Sequence, residues 1–186
     1  MVKKYIRIVA GQYRRTRIEV PDAPGLRPTP DRVRETLFNW LSHLWDNDFA
    51  QKQVLDLFAG SGALGFEAAS RGVAHVLMVE SNPTALRELR SLRDRLKASH
   101  VRIHSGDART VLARGAAARF DLILLDPPFG QAWFPDLLNQ AGELLTDEGL
   151  IYAENDCQIN APDGYVALRY GRAGGVHYHL FHRTVT

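Results

Sequence analysis

From residue 54 onward, apolar runs of strand length alternate with amphipathic stretches of helix length, and this alternation narrows the possible folds sharply. Val54–Phe58, Val76–Glu80, Val101–His104, Phe120–Leu125 and Leu150–Glu154 read as buried strands. Between them the pattern predicts helices. One runs from Gly60 to Arg71 and is closed by Gly72. A second starts at Asn82-Pro83 and places Leu86, Leu89, Leu92 and Leu96 on one face. Two more cover Asp107 to Ala113 and Pro135–Leu145, the last stopped near Asp147-Glu148-Gly149. Tyr165–Tyr170 and Val176–Arg183 predict a closing hairpin across Ala173-Gly174-Gly175. Strands alternating with helices imply an α/β fold, a mostly parallel sheet covered on both faces. Ligands on such sheets bind beyond the carboxyl ends of the strands, at the topological switch point. Asp56–Gly65, Glu80 and Asp126–Phe129 each lie where a predicted strand ends.

The residues ahead of this pattern differ in kind. Ile6, Ile8 and Ala10 alternate with Arg7 and Val9, and Arg15, Arg17 and Glu19 with Thr16, Ile18 and Val20. A hairpin turning near Gln12 to Arg15 is expected. Pro28-Thr29-Pro30-Asp31 predicts a helix start with Thr29 as cap and Pro30 in the first helical position. Val33, Leu37, Trp40, Leu41 and Leu44 then share a face, and Trp40, Leu44 and Trp45 are read as core. The chain thus divides into an extension over 1–30 and a main domain over 31–186. Residues 1–35 hold nine Lys or Arg against four Asp or Glu, a balance of +5, in a chain whose net charge is +2. Such clustering suits a polyanionic partner or a simple solvated surface. Arg32 and Arg34 fall in the first helical turn, where the helix dipole disfavours cations, so they are candidates to meet something negative.

Other classes are excluded on composition. Cys157 is the single cysteine, so neither an intrachain disulfide nor a cysteine-based zinc cluster is possible, and a reducing cytosol fits. Arg7 interrupts the apolar start too early for a signal peptide, and no run reaches the length of a membrane span. His177 and His179 share a strand face, but no further ligand stands near them in sequence, and no metal is expected.

Asp56-Leu57-Phe58-Ala59-Gly60-Ser61-Gly62-Ala63-Leu64-Gly65 is a glycine-rich strand-to-helix turn. Gly60 and Gly62 suit a tight turn and close approach of a cofactor, and Gly65 suits packing of helix on strand. Glu80, 24 residues after Asp56, can accept the two hydroxyls of an adenosine ribose. To this point NAD and S-adenosylmethionine fit alike. A carboxylate at Asp56, four positions before the glycines, suits a cofactor bearing an ammonium and repels a pyrophosphate. Asp107 can accept from an adenine amino group with the Ala108 N–H donating to the ring, or it can simply cap a helix.

Asp126-Pro127-Pro128-Phe129 follows the apolar run Leu122–Leu125. Two prolines end a strand without further explanation, but the flanking Asp and Phe at the cofactor end of the sheet ask for one. An exocyclic amino group on a base is a poor nucleophile because its lone pair is delocalised into the ring. Acceptors on its hydrogens, the Asp126 carboxylate and the Pro127 carbonyl, favour a tetrahedral nitrogen that can attack a sulfonium methyl. The prolines fix both acceptors in advance, and Phe129 offers a face to an extruded base.

Together, Asp56–Gly65 and Asp126–Phe129 resemble class I methyltransferases that modify exocyclic base nitrogens. The further stretches Ile6–Arg14, Leu26–Thr29 and Asp31–Leu41 resemble the RsmD family, bacterial small-subunit ribosomal RNA guanine-N2 methyltransferases. The resemblance covers about residues 6 to 183 and is weakest after Asn155. It implies a class I, Rossmann-like S-adenosylmethionine methyltransferase fold: a seven-stranded, mostly parallel sheet with helices on both faces and a small basic N-terminal β-hairpin. It implies S-adenosyl-L-methionine as cofactor, held by Asp56, Phe58, Gly60, Gly62, Glu80, Asp107 and Ala108. Asp126, Pro127, Pro128 and Phe129 become catalytic, and Arg14, Arg15, Arg17, Arg27, Thr29, Arg32 and Arg34 substrate-binding. The implied partner is small-subunit 16S ribosomal RNA, free or within an assembled 30S particle, met in the cytoplasm by a monomer. One departure stands out: where the family usually has a hairpin-turn glycine this chain has Arg15, and glycine eases a positive φ. Three rivals remain: an adenine-N6 methyltransferase acting on RNA or DNA, a non-catalytic RNA-binding assembly factor, and a nicotinamide oxidoreductase. Trp133 and Phe134 fit either a base pocket or a cover for the sheet.

Overall fold

The computed structural model describes residues 4–20, 29–115 and 119–184. Its strands are β1 (Lys4–Arg7), β2 (Arg17–Val20), β3 (Gln53–Asp56), β4 (His75–Glu80), β5 (Val101–Ser105), β6 (Phe120–Leu125), β7 (Leu145–Asn155), β8 (Tyr165–Ala173) and β9 (Val176–Arg183). Its helices are α1 (Asp31–Leu44), α2 (Ala63–Ser70), α3 (Pro83–Leu96), α4 (Ala108–Arg114) and α5 (Asp136–Gly142). The β1–β2 hairpin stands apart from a seven-stranded sheet of order β5-β4-β3-β6-β7-β9-β8. Pairs from β5 through β7 are parallel, and β9 is antiparallel to both of its neighbours. The order reverses between β3 and β6, which places the switch point at their carboxyl ends.

Strand pleating divides the core in two. Val54, Leu122, Leu124, Leu150 and Tyr152 face α1, α2, α3 and the hairpin, whereas Leu55, Ile123, Leu125, Ile151 and Ala153 face α4 and α5. Helix α3 starts as expected: Asn82 Oδ1 accepts from the amides of Thr84 and Ala85, and Leu86, Leu89 and Leu92 are buried. Helix α1 does not. Thr29 makes no cap, because its hydroxyl is turned to Glu154, and Pro30 takes the cap position without a side-chain hydrogen bond. The last helix is shorter than Pro135–Leu145. It ends at Gly142, and Leu145 already pairs with Phe120, so β7 begins five residues before Leu150.

The hairpin strands are also shorter than their alternation suggested, since neighbouring amides are drawn to α2 instead. Val9 N and Ala10 N donate to the Glu67 carboxylate, Gln12 N to the Ser70 carbonyl and Tyr13 N to Ser70 Oγ. Gly11 packs so closely on Ser70 that a Cβ there would collide with the Ser70 backbone, and its φ is +81°. Arg15 adopts φ 69° in the turn. The left-handed shape thus persists without the glycine, at a cost of about 1–2 kcal/mol. Ile8, Tyr13 and Ile18 complete the first core, so the hairpin is docked on the main domain through apolar and polar contacts alike.

Candidate active site

The carboxyl ends of the parallel strands open into a cavity of about 920 Å³, a size suited to a cofactor with part of a substrate. Its wall includes Asp56, Phe58, Gly60, Glu80, Asp107, Ala108, Asp126, Pro127, Pro128 and Phe129, drawn from four successive strand ends. From the N-terminal part it takes Val20, Thr29 and Pro30.

Glu80 is held by the backbone around it. Oε2 accepts from Gly60 N at 2.8 Å, and Oε1 accepts from Ser81 N at 2.9 Å and Asn82 N at 2.7 Å. The carboxylate ties the glycine-rich loop to the end of β4 and is fixed before any ligand arrives. Asp107 serves as a cap, its Oδ1 accepting from Arg109 N at 2.9 Å and Thr110 N at 3.3 Å. The cap does not remove it from the cavity, because the residue is exposed there. Gly62 is different. It has φ +83°, and a Cβ would approach Leu89 and Phe66 side-chain carbons to 2.6 Å. It lies outside the cavity wall, so its missing side chain makes room for protein, and its expected contact with a cofactor is not supported. Gly65 packs helix on strand as expected, its amide donating to Asp56 Oδ2 at 3.1 Å.

Asp56 is buried. Burial pushes its carboxyl up to about 7, against backbone hydrogen bonds from Phe58 and Gly65 that lower it, and the charges of Glu80 and Glu154 add to the rise. A cation bound nearby would favour its ionised form. Asp126 and Phe129 are half-buried and Pro127 is buried, at the end of β6. Trp133 meets Phe58 edge-on at 5.2 Å, and the Arg109 guanidinium lies 4.3 Å above its ring. Trp133 therefore lines the cavity, while Phe134 packs into the second core.

Glu154 is a wall residue that the sequence reading missed. Its Oε1 accepts from Thr29 Oγ1 at 2.8 Å and from Tyr152 Oη at 2.9 Å, and it is 2% exposed. The signal was available: Glu154 ends a predicted strand just as Glu80 does, and Asp56 and Asp126 lie close to strand ends.

The basic residues separate. Arg14, Arg15, Arg17 and Arg32 are exposed, and Arg27 lies outside the described residues. Arg34 is fully buried, bonded to Glu67, Asp31 and the carbonyls of Arg7 and Thr29. It is a structural ion-pair residue, and its expected contact with substrate does not stand. Thr29 is likewise buried and bonded to Glu154, at the cavity instead of on a docking surface. In the tail, burial pushes His179 down to about 4, and its Nε2 accepts from Ile159 N. His177 pairs with the Tyr170 hydroxyl at 2.8 Å.

A family model described as conserved hypothetical protein 95 matches residues 6–182. Ribosomal RNA small subunit methyltransferase D of Escherichia coli (strain K12) is 39% identical over 183 residues, covering 96% of this chain and 90% of that protein. The chain belongs to the RsmD family. The namesake from Haemophilus influenzae is 36% identical over 96% of this chain and 94% of its own length. Among solved structures, a putative methyltransferase from Escherichia coli superposes with a TM-score of 0.85 at 37% identity, covering 98% of this chain and all of that one. A putative methylase from Haemophilus influenzae gives 0.76 at 32% identity over 98% and 100%. This RsmD-family chain is therefore a methyltransferase with the class I fold, and S-adenosylmethionine is its cofactor. The cavity fits that molecule. Among the described residues, its ionisable wall groups are the carboxyls of Asp56, Glu80, Asp107, Asp126 and Glu154 with the guanidinium of Arg109. Such a wall suits a sulfonium and an ammonium and disfavours the pyrophosphate of a dinucleotide.

Proposed function

We propose that the protein methylates the exocyclic N2 of a guanine in small-subunit ribosomal RNA. The observation that carries this reading is Asp126-Pro127-Pro128-Phe129 lining the cavity at the switch point, beside the cofactor loop. When bound, S-adenosylmethionine supplies an electrophilic methyl on a sulfonium. Glu80 would accept from the ribose hydroxyls, and Asp107 with Ala108 would meet the adenine. The Asp126 carboxylate and the Pro127 carbonyl accept from the N2 hydrogens and turn the nitrogen lone pair toward the methyl. Phe129 stacks on the base. The nitrogen would take the methyl with its own lone pair, and the electron pair of the C–S bond would stay with the departing sulfur. The methylated nitrogen is then cationic and acidic, so its proton leaves to Asp126 or to water without a strong base.

The relatives named as small-subunit ribosomal RNA methyltransferases support the substrate class. The hairpin over 1–30, with Arg14, Arg15 and Arg17, and Arg32 at the helix start dock phosphates, while 31–186 carries the chemistry. The setting is the bacterial cytoplasm, the substrate free RNA or an assembled 30S particle, and the acting species a monomer. The test is single-turnover methyl transfer at saturating S-adenosylmethionine. Asp126→Ala should slow it by about 10²–10³, the loss expected for one preorganised electrostatic contact. Asp126→Asn keeps an acceptor and loses the charge, so it retains more activity if orientation dominates and equals Ala if proton acceptance does. Transfer by Asp126→Ala at the wild-type rate would remove the residue from catalysis.

A further inference from the structure

Positive charge gathers near both ends of the chain. Beside the basic stretch over 1–35, residues 164–186 hold three arginines, three histidines and neither Asp nor Glu, whereas 36–163 hold eleven Lys or Arg against seventeen Asp or Glu. The later stretch supplies the antiparallel pair β8–β9, whose turn reaches the catalytic end of the sheet. Asn155, the end of β7, pairs with His177, and Val176 lines the cavity. One register row crosses four strands as Leu125, Ala153, His179 and Tyr170. Asp126 and Glu154 stand one position beyond that row. At about 4.8 Å per strand, Tyr170 lies roughly 14 Å across the sheet from Leu125. Rings line this face. Phe181 stacks on His179 at 5.4 Å and 8°, His179 meets Tyr170 at 4.9 Å, and Tyr170 meets His177 at 5.9 Å. The column starts at the buried Phe181 and His179 and ends in solvent, where Tyr170 is 46% exposed. Among the described strands β8 is the edge of the sheet, so the outer side of the Tyr170 ring is uncovered by a further strand. The hydroxyl is bonded to His177 Nδ1 at 2.8 Å, which fixes the ring. Arg172, opposite His177 and exposed, donates through Nε to the Gly174 carbonyl at 3.0 Å, which holds its guanidinium at the turn.

We propose that Tyr170 and Arg172 form a second RNA contact beside the cavity: Tyr170 stacks an unpaired base flanking the target, and Arg172 meets the adjoining phosphate. This rests on the ribosomal RNA reading above, whichever base is methylated, and adds a site to it. Extruding a base from an RNA strand leaves its neighbours short of a stacking partner. Proteins hold such unpaired bases on aromatic side chains with cations nearby, and a ring already fixed in place has little freedom left to lose. The turn of the N-terminal hairpin lies further off. Gln12 and Tyr13 are bonded to Ser70 at the end of α2, whereas Ala63 at its start lines the cavity. At about 1.5 Å per residue, the helix sets Arg14 and Arg15 roughly 10 Å back from the cavity wall. The pair on β8 stands at the level of the tetrapeptide and serves the nucleotides next to the target.

The experiment measures KM for unmodified small-subunit RNA, in whichever form is methylated, and the affinity for S-adenosylmethionine. Tyr170→Ala should raise KM for RNA by about tenfold, within the range for losing one base stack. Its single-turnover rate at saturating RNA and its S-adenosylmethionine affinity should match wild type, and that affinity also reports a folded domain. Tyr170→Phe keeps the ring and should stay near wild type, whereas Tyr170→Leu fills the place without a ring and should behave as Ala. Arg172→Ala should weaken RNA binding and lower its slope of log affinity against log salt by about one, a slope that Tyr170→Ala leaves unchanged. A wild-type KM for RNA in Tyr170→Ala overturns the proposal. So does rescue by Leu, which would make the ring mere packing, or a Phe variant as impaired as Ala, which would assign the effect to the hydroxyl. Should Tyr170→Ala fail to fold, an unchanged salt slope in Arg172→Ala overturns it. Wild-type protein that methylates no RNA at all would bring down the ribosomal RNA reading, and this proposal with it.

Discussion

Arg32 and Arg34 stand two positions apart on one helix and have opposite fates. Arg32 is exposed, and Arg34 is buried among carbonyls and carboxylates. The helical period already separated them: Val33, Arg34, Leu37, Phe38 and Leu41 form the buried stripe, so Arg34 lies on the apolar face. Charge alone groups the two arginines, whereas the helical period assigns Arg34 to the interior. Asp56, expected to meet the cofactor, lines the cavity, but its burial was not legible, because burial depends on what the sheet and α2 stack around it. That burial has a testable sign. A carboxyl raised from about 4 to about 7 favours the protonated fold, so the stability it contributes is present at low pH and is lost as pH rises through about 7. Asp56→Asn should therefore gain melting temperature relative to wild type between pH 5 and pH 8. S-adenosylmethionine, a cation, should bind wild type more tightly as pH rises through 7 and Asp56→Asn without that rise. Calorimetric affinities with the same pH slope for both proteins would contradict this account of Asp56.

At the level of elements, helices with strong local signals appeared where expected, as Asn82-Pro83 and its leucines did. The ends that moved did so for tertiary reasons. Leu145 exchanged a helical turn for pairing with Phe120, and the hairpin gave up ladder bonds to reach Glu67 and Ser70. Glu67 joins these elements: fully buried in α2, it receives Val9 N, Ala10 N, Arg34 Nη1 and Arg71 Nε. Nothing in the local sequence marks a lone Glu in an alanine-rich helix as an anchor for residues some 57 positions away. Removing Arg34 would take from the fully buried Glu67 one of its two cationic partners and leave it Arg71. Arg34→Met should cost about 3–5 kcal/mol in urea unfolding, the range for breaking a buried ion pair from one side. Pairing it with Glu67→Gln should recover part of the loss. If the double variant is less stable than the sum of the singles, the two residues do not act as a pair.

Across the whole molecule, the sheet collects the carboxyl side chains at one end, and the hairpin presents Arg14, Arg15 and Arg17 to solvent. This division of charge predicts separable functions. Replacing those three arginines by alanine should weaken RNA binding and flatten its dependence on salt, since fewer counterions are released. Affinity for S-adenosylmethionine should not change. An unaltered salt slope would move the docking surface elsewhere. The α/β architecture and its marked strand ends were legible because each followed from a local pattern. The docking of hairpin on α2 and the place of Glu154 beside Asp126 required strand order and register, which no short segment encodes. The central claim concerns one atom, and one measurement reaches it directly. Small-subunit RNA lacking the modification, incubated with the protein and labelled S-adenosylmethionine and then digested to nucleosides, should yield the label in N2-methylguanosine. Label in N6-methyladenosine, or none in any nucleoside from free RNA or assembled particles, would contradict it.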